Sequence, residues 1–122
     1  MKIQESAENY LETILILSQR QPAVRSIDIA NEMGFSKPSV SIAMKHLREN
    51  GYVVVDEDGH LKLTPSGLAV AAKIYERHTV ISDMLTRLGV DPKIAAEDAC
   101  RIEHVISSES FEALKKHVKE YM

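Results

Sequence analysis

The chain has 122 residues, 44% hydrophobic and 27% charged. That is the balance of a soluble globular protein, and it excludes collagen-like, low-complexity and wholly disordered chains. No apolar run approaches the ~20 residues that span a bilayer, so no membrane partner is expected. Residues 1–20, which carry Glu5, Glu8 and Glu12, are expected not to be a signal peptide. Cys100 is the single cysteine, so no internal disulfide can form and a reducing cytoplasm is the expected compartment. A net charge of −3 argues against nonspecific coating of nucleic acid.

Residues 6–20 read as a helix, because Leu11, Ile14, Leu15 and Ser18 follow i, i+3, i+4, i+7 spacing and Leu17 widens the apolar face. Gln21-Pro22 ends it. Residues 26–33 form a short second helix, with Ser26 expected as N-cap and Gly34 as stop. The third, 36–50, is capped by Ser36, carries Pro38 in its first turn and ends at Gly51. Val40, Met44 and Leu47 fall on one stripe and should face inward; Ser39, Ile42, Lys45 and His46 lie away from it. Residues 52–55 and 60–63 read as two strands around an Asp56–Gly59 turn. Thr64 and Pro65 start a long helix running to about 88 and stopping at Gly89. Asp91 and Pro92 start another over 92–106, and a last helix follows over 108–121.

Two helices joined by a tight glycine turn and followed by a hairpin make a winged helix-turn-helix. The expected fold is therefore mainly α: a winged helix-turn-helix DNA-binding domain over 1–64, then an all-helical metal-binding and dimerisation domain over 65–122. The second part is too small for a generous core, and pairing with another copy would supply one, so a homodimer is expected.

Two constellations carry chemistry. Residues 36–48 hold Lys37, Lys45 and Arg48, plus His46, with no acid, a basic patch inside an acidic chain. In a helix-turn-helix the N-terminal residues of the second helix meet base edges. Here these are Ser36, Lys37, Pro38, Ser39, Ser41 and Ile42, while Lys45, His46 and Arg48 suit phosphates. Double-stranded DNA is the expected partner; a solvated helix face or a protein-only contact is the competing explanation. The acidic hairpin tip, Asp56, Glu57 and Asp58, should be repelled by phosphate.

The second constellation is Cys100, Glu103 and His104. At i, i+3 and i+4 on a helix they would share one face, offering a thiolate, a carboxylate and an imidazole, a set suited to a transition metal and not to calcium or magnesium. A buried cysteine beside a surface Glu-His pair is the plainer alternative. His78 falls on the stripe Ile74, His78, Ile81, Leu85 and should point inward as a further ligand. Asn9 and Glu12 share a face of the first helix, and a carboxylate at the edge of a core needs a partner such as a divalent cation.

The chain resembles the diphtheria toxin repressor family of metal-activated transcriptional repressors, including its short manganese transport regulator branch. The resemblance rests on Glu8-Asn-Tyr-Leu-Glu12; Asp28-Ile-Ala30 followed by Ser36-Lys-Pro-Ser-Val-Ser41; Leu63-Thr-Pro-Ser-Gly67; Arg77-His78; and the segment 97–107 with Cys100, Glu103 and His104. It implies a two-domain homodimer that binds a divalent metal, orders its first helix and then binds a palindromic operator near metal-uptake genes. It carries ligand roles onto Cys100, Glu103, His104, His78 and, from the manganese branch, Glu12. Position 9 departs from the family's thioether or carboxylate; Asn9 offers an uncharged amide oxygen, a weaker ligand. Ser82 and Ala96 stand where iron-type members place a carboxylate and a histidine, so the ancillary site is largely missing. Thiolate and imidazole together lean to Fe(II) over Mn(II), with Co(II), Ni(II) and Zn(II) expected to substitute in vitro.

An alternative is a winged-helix regulator whose Cys100 cluster senses redox state or is inert. No glycine-rich phosphate loop or nucleophile motif is present, so the chain is not expected to be an enzyme or to take a small organic substrate.

Overall fold

Helical spacing in the first segment buries Leu11 and Ile14 completely and Leu17 almost so, and in the computed structural model, which describes residues 5–122, this becomes helix α1 (Glu5–Arg20). The first four residues, with which the expected 1–64 domain begins, lie outside the described residues. Ser18, polar on an apolar stripe, donates its hydroxyl to the Ile14 carbonyl at 2.7 Å. Then follow α2 (Ser26–Met33), α3 (Lys37–Glu49), strands β1 (Val53–Val55) and β2 (Leu61–Leu63), α4 (Pro65–Arg87), α5 (Pro92–Ile102) and α6 (Ser108–Tyr121).

The start of α2 differs from the expectation. Ser26 is its first helical residue and Arg25 occupies the cap, because the Asp28 carboxylate reaches back to accept from the Arg25 N–H at 2.9 Å. An acid at the third helical position can thus satisfy a terminal donor without a hydroxyl cap. Gly34 ends the helix at φ 71°, a left-handed conformation that glycine adopts without strain. Ser36 does cap α3, accepting from the Ser39 N–H.

β1 and β2 pair antiparallel with Val53 opposite Leu63 and Val55 opposite Leu61. Leu61 also donates its N–H to the Val24 carbonyl at 2.7 Å, so the loop before α2 adds a single bridge to the hairpin. Val53 and Leu61 turn inward beside Ile29, Val40, Met44 and Leu47 to complete the first core. Fully burying an aliphatic side chain of this kind is worth about 1.5–3 kcal/mol.

The chain divides into two compact units, the first ending at Ala72 and the second spanning Lys73–Met122. The expected boundary after residue 64 marks where α4 begins. The packing boundary falls later because Val70 and Ala71 join the first core. The second core is small: Ile81, Ala99 and Phe111, flanked by Val80, Leu85, Ile102, Ile106 and Leu114. Among the described residues no helix is long and apolar enough to cross a membrane.

One further difference bears on function. The helix expected over 92–106 stops at Ile102, and Glu103, His104 and Val105 form a turn. The N–H groups of Val105 and Ile106 both reach the Ile102 carbonyl, at 3.0 and 3.1 Å, which tightens the chain and ends the helical register.

The hairpin is locked to α4 by Thr64. Its N–H donates to the Tyr52 carbonyl at 3.0 Å and its hydroxyl to the Gly51 carbonyl at 2.6 Å, while its Oγ1 accepts from the Gly67 N–H. A Cβ at position 67 would collide with the Tyr52 carbonyl oxygen. Gly67→Ala, which would otherwise favour a helix, should therefore destabilise the first unit by about 1–3 kcal/mol, as overpacking does. Thermal unfolding checks this: a melting temperature at or above that of the unsubstituted protein would show that the contact is slack.

Candidate functional site

In the first unit, burial of Val40, Met44 and Leu47 forces the other face of α3 outward. Lys37, Pro38, Ser39, Ser41, Ile42, Lys45, His46 and Arg48 are all exposed, as is the capping Ser36. Ile42 is 59% exposed, unusual for an isoleucine and suited to a thymine methyl. The Ser36 hydroxyl accepts from the Ser39 N–H and donates to Ser39 Oγ at 2.8 Å, so it is spent on capping. Ser39 Oγ, having accepted that bond, keeps its own O–H for an outside acceptor.

Sequence reasoning passed over Phe35. It is 49% exposed immediately before the cap of α3, with its ring edge-on to Tyr10 at 6.0 Å. The signal was present: a large apolar residue between a helix-stopping glycine and a capping serine, off both helical stripes.

At the hairpin tip the Asp56 carboxylate folds back, accepting from the N–H groups of Asp58 and His60 at 2.9 Å and lying 3.4 Å from His60 Nδ1. The His60 backbone N–H, above all, holds the Asp56 carboxyl below the usual carboxylate range. The stabilisation this gives the turn is present above the ordinary carboxylate pKa and lost as pH falls through the depressed one.

In the second unit, α4 and the turn after α5 bring three of the expected ligands together. Glu103 is fully enclosed, with Oε2 2.9 Å from His78 Nδ1. His104, its side chain fully enclosed, places Nε2 3.3 Å from Glu103 Oε1. That approach lacks hydrogen-bond geometry, and among the described residues Oε1 accepts no hydrogen bond. A buried carboxylate oxygen left in this way costs about 1–3 kcal/mol or more, and a cation would offset it. A carboxylate with imidazoles suits a divalent transition metal.

The other expected ligands are placed differently. Cys100 lies on the last turn of α5 and is exposed. Glu103 caps α5 with helical backbone, its N–H on the Ala99 carbonyl at 2.9 Å, and His104 lies in the turn that follows. In the first unit, Glu12 is buried, at 7% exposure, and Asn9 is half-buried.

Arg77, half of the Arg77-His78 string, is 6% exposed. It sits three residues after Ile74 and four before Ile81, so its charge falls on a buried stripe, and that was the available signal.

These features define a class: a regulator with a winged helix-turn-helix and a helical unit that encloses a carboxylate–imidazole cluster. Residues 2–61 match the family described as iron dependent repressor, N-terminal DNA binding domain, and residues 64–121 match iron dependent repressor, metal binding and dimerisation domain. The chain belongs to this family of metal-dependent transcriptional repressors, the diphtheria toxin repressor family, whose members are not enzymes.

An uncharacterised HTH-type transcriptional regulator of Methanocaldococcus jannaschii is 32% identical over 96% of this chain and 95% of its own length. The transcriptional regulator MntR of Salmonella typhimurium is 34% identical over 89% of this chain and 69% of its own. Among solved structures, the manganese regulator SloR superposes with a TM-score of 0.81 at 29% identity, covering 98% of this chain. The chain spans about half of that structure's length, 55%.

Lys45→Ala should weaken binding to all DNA sequences alike and reduce the salt slope by about one, as losing one phosphate contact does. Ile42→Ala should instead change which bases are preferred. Binding titrations on an operator and on scrambled duplexes, at several salt concentrations, separate the two; uniform loss for Ile42→Ala would remove it as a base reader.

Proposed function

We propose that this protein is a homodimeric, cytoplasmic repressor, activated by Fe(II) or Mn(II), that binds palindromic operator DNA and controls metal-uptake genes. The observation that carries the metal reading is the enclosed Glu103 carboxylate, flanked by His78 and His104, with an oxygen that accepts no hydrogen bond among the described residues. The proposed ligand set is Glu12, His78, Cys100, Glu103 and His104, with Asn9 as a weaker member. The bound cation supplies positive charge to carboxylates that are otherwise costly to bury. Manganese is supported by the name of the similar regulator SloR, and iron by the thiol and imidazole donors and by the family's description. The DNA-binding domain is assigned to 1–64 and the metal-binding and dimerisation domain to 65–122.

The residues divide the work. Ser39, Ser41, Ile42, Lys37 and Pro38 meet base edges; Lys45, His46 and Arg48 meet phosphates; Ser36 fixes the start of the helix that presents them. Glu12 carries metal occupancy to α1, since its own burial is compensated best when the site is charged. In a two-fold dimer the recognition helices then meet half-sites about 34 Å apart. Exposure of Cys100 favours a second reading in which this thiol senses redox state; metal-dependent operator binding under anaerobic, reducing conditions decides between the two.

The primary test is metal analysis of anaerobically purified protein, followed by DNA binding with each metal returned. Glu103→Gln keeps shape and removes charge, so metal affinity should fall ten-fold or more while the helical circular dichroism persists. Unchanged affinity in Glu103→Gln and His104→Ala would refute the site. Ligands must lose protons to bind, so affinity should decline as pH falls through the histidine range.

Metal can favour the DNA-bound form only by binding it more tightly, and DNA must raise metal affinity by the same factor, here about 1–3 kcal/mol. Glu12→Ala should retain metal binding at His78, Glu103 and His104 yet lose most of the metal-induced gain in DNA affinity. A full gain in this variant would show that α1 is not the connector.

A further inference from the structure

Arg77 is one of two buried charged residues in the second unit, the other being Glu103. Its Nη1 donates to the Glu103 carbonyl at 3.0 Å and to the Ile106 carbonyl at 2.8 Å, and its Nη2 approaches Ser108 Oγ at 3.4 Å. Its guanidinium carbon lies 5.5 Å from the centre of the buried Phe111 ring. One side chain on α4 therefore grips both ends of the turn between α5 and α6. A turn following a helix end leaves carbonyls without helical partners, and a planar guanidinium can take two of them at once where an ammonium would hold them loosely.

The Ile102 carbonyl, which accepts from the Val105 and Ile106 N–H groups, and Ile106, packed against the second core, also hold the turn. Val105, between the two gripped carbonyls, is 75% exposed and adds no apolar burial there. Yet Glu103 and His104, whose side chains are both fully enclosed, project from this segment.

We propose that Arg77 is a positioning residue for the metal centre: it sets the backbone of residues 103–106, and through it the aim of the Glu103 and His104 donors. This rests on the metal reading given above. Loss of the guanidinium leaves the donors present but mis-set, which lowers metal affinity and changes ligand geometry without removing a ligand.

The experiment uses the full chain and Co(II), whose visible absorption reports coordination geometry. Arg77→Met keeps the apolar stem and removes the fork. Expected are an affinity for Co(II) at least ten-fold weaker, altered visible bands, and helical circular dichroism close to that of the unsubstituted protein. In the metal-free state the Val105 and Ile106 amides should exchange at least ten-fold faster. Arg77→Lys, which can hold a single carbonyl, should fall between the two, and it serves as the test if Arg77→Met does not fold. A folded variant with unsubstituted affinity, visible bands and amide exchange overturns the proposal. Absence of Co(II) binding in the unsubstituted protein, or indifference of that binding to Glu103→Gln, overturns the metal reading itself, and the positioning role falls with it. An Arg77 effect in a protein that passes both controls supports the positioning role alone.

Discussion

Enclosing the Glu103 carboxylate beside a small apolar core is the constraint around which the second unit is arranged. Ile81, Ala99 and Phe111 form its buried apolar cluster, and the same unit buries Glu103 at 0% exposure and Arg77 at 6%. Neither charge is tolerable alone, since removing one partner from a buried arrangement costs about 3–5 kcal/mol. The carboxylate meets two imidazoles; the guanidinium meets two carbonyls, a hydroxyl and an aromatic face. Stability would be served as well by apolar residues of similar volume. A polar interior with one carboxylate oxygen unbonded among the described residues calls for an explanation, and the proposed cation supplies one.

The first unit is arranged differently. Its core cluster runs through apolar residues from Leu11 and Ile14 to Val40 and Leu47, with Glu12 also buried on α1, and other polar groups fix the chain at the edges: Asp28 on the Arg25 N–H, Ser36 on Ser39, Asp56 within its own turn, Thr64 between Gly51 and Gly67. A recognition helix gains from such stiffness. Side chains that must meet base edges discriminate by geometry, and a bidentate or methyl contact is worth only about 1–3 kcal/mol when well placed.

Legibility in the sequence tracked the range of the interaction that decides each feature. Helix starts at Ser36, Thr64-Pro65 and Asp91-Pro92 and stops at Gly34, Gly51 and Gly89 follow from local backbone chemistry, and periodicity identified Val40, Met44 and Leu47 as inward-facing. The N-cap of α2 misled because a serine is the commoner cap, while here a carboxylate three positions into the helix takes the donor. The end of α5 at Ile102 was not legible from residues 92–106, since the residue that captures the Glu103 and Ile106 carbonyls lies on α4. Helical spacing alone also does not tell which side chain of that turn is enclosed: Cys100 is exposed while Glu103 is fully buried. Residue types lead to the metal-binding chemistry proposed here; the turn that carries Glu103 and His104 does not follow from them.

Charge sets how such a protein can be switched. The chain carries −3 overall, and on the proposed reading α3 offers Lys45 and Arg48, with His46, to phosphate. Each phosphate neutralised contributes about 0.9 to the salt slope, so one unit making two or three such contacts binds DNA weakly at physiological salt. On the proposed reading, useful affinity then needs two units engaged together, where the second contact is made at a high effective concentration, but only if the spacing is right. Weak single-site binding is in this sense an advantage. A protein that gripped DNA strongly through charge would be insensitive to a modest rearrangement, whereas one that depends on paired engagement responds fully to a coupling of about 1–3 kcal/mol, a factor of 5–150 in affinity. On that reading the acidic balance of the chain and the capped, outward-facing α3 serve one requirement: low affinity for DNA in general, and a narrow geometric condition under which affinity becomes high.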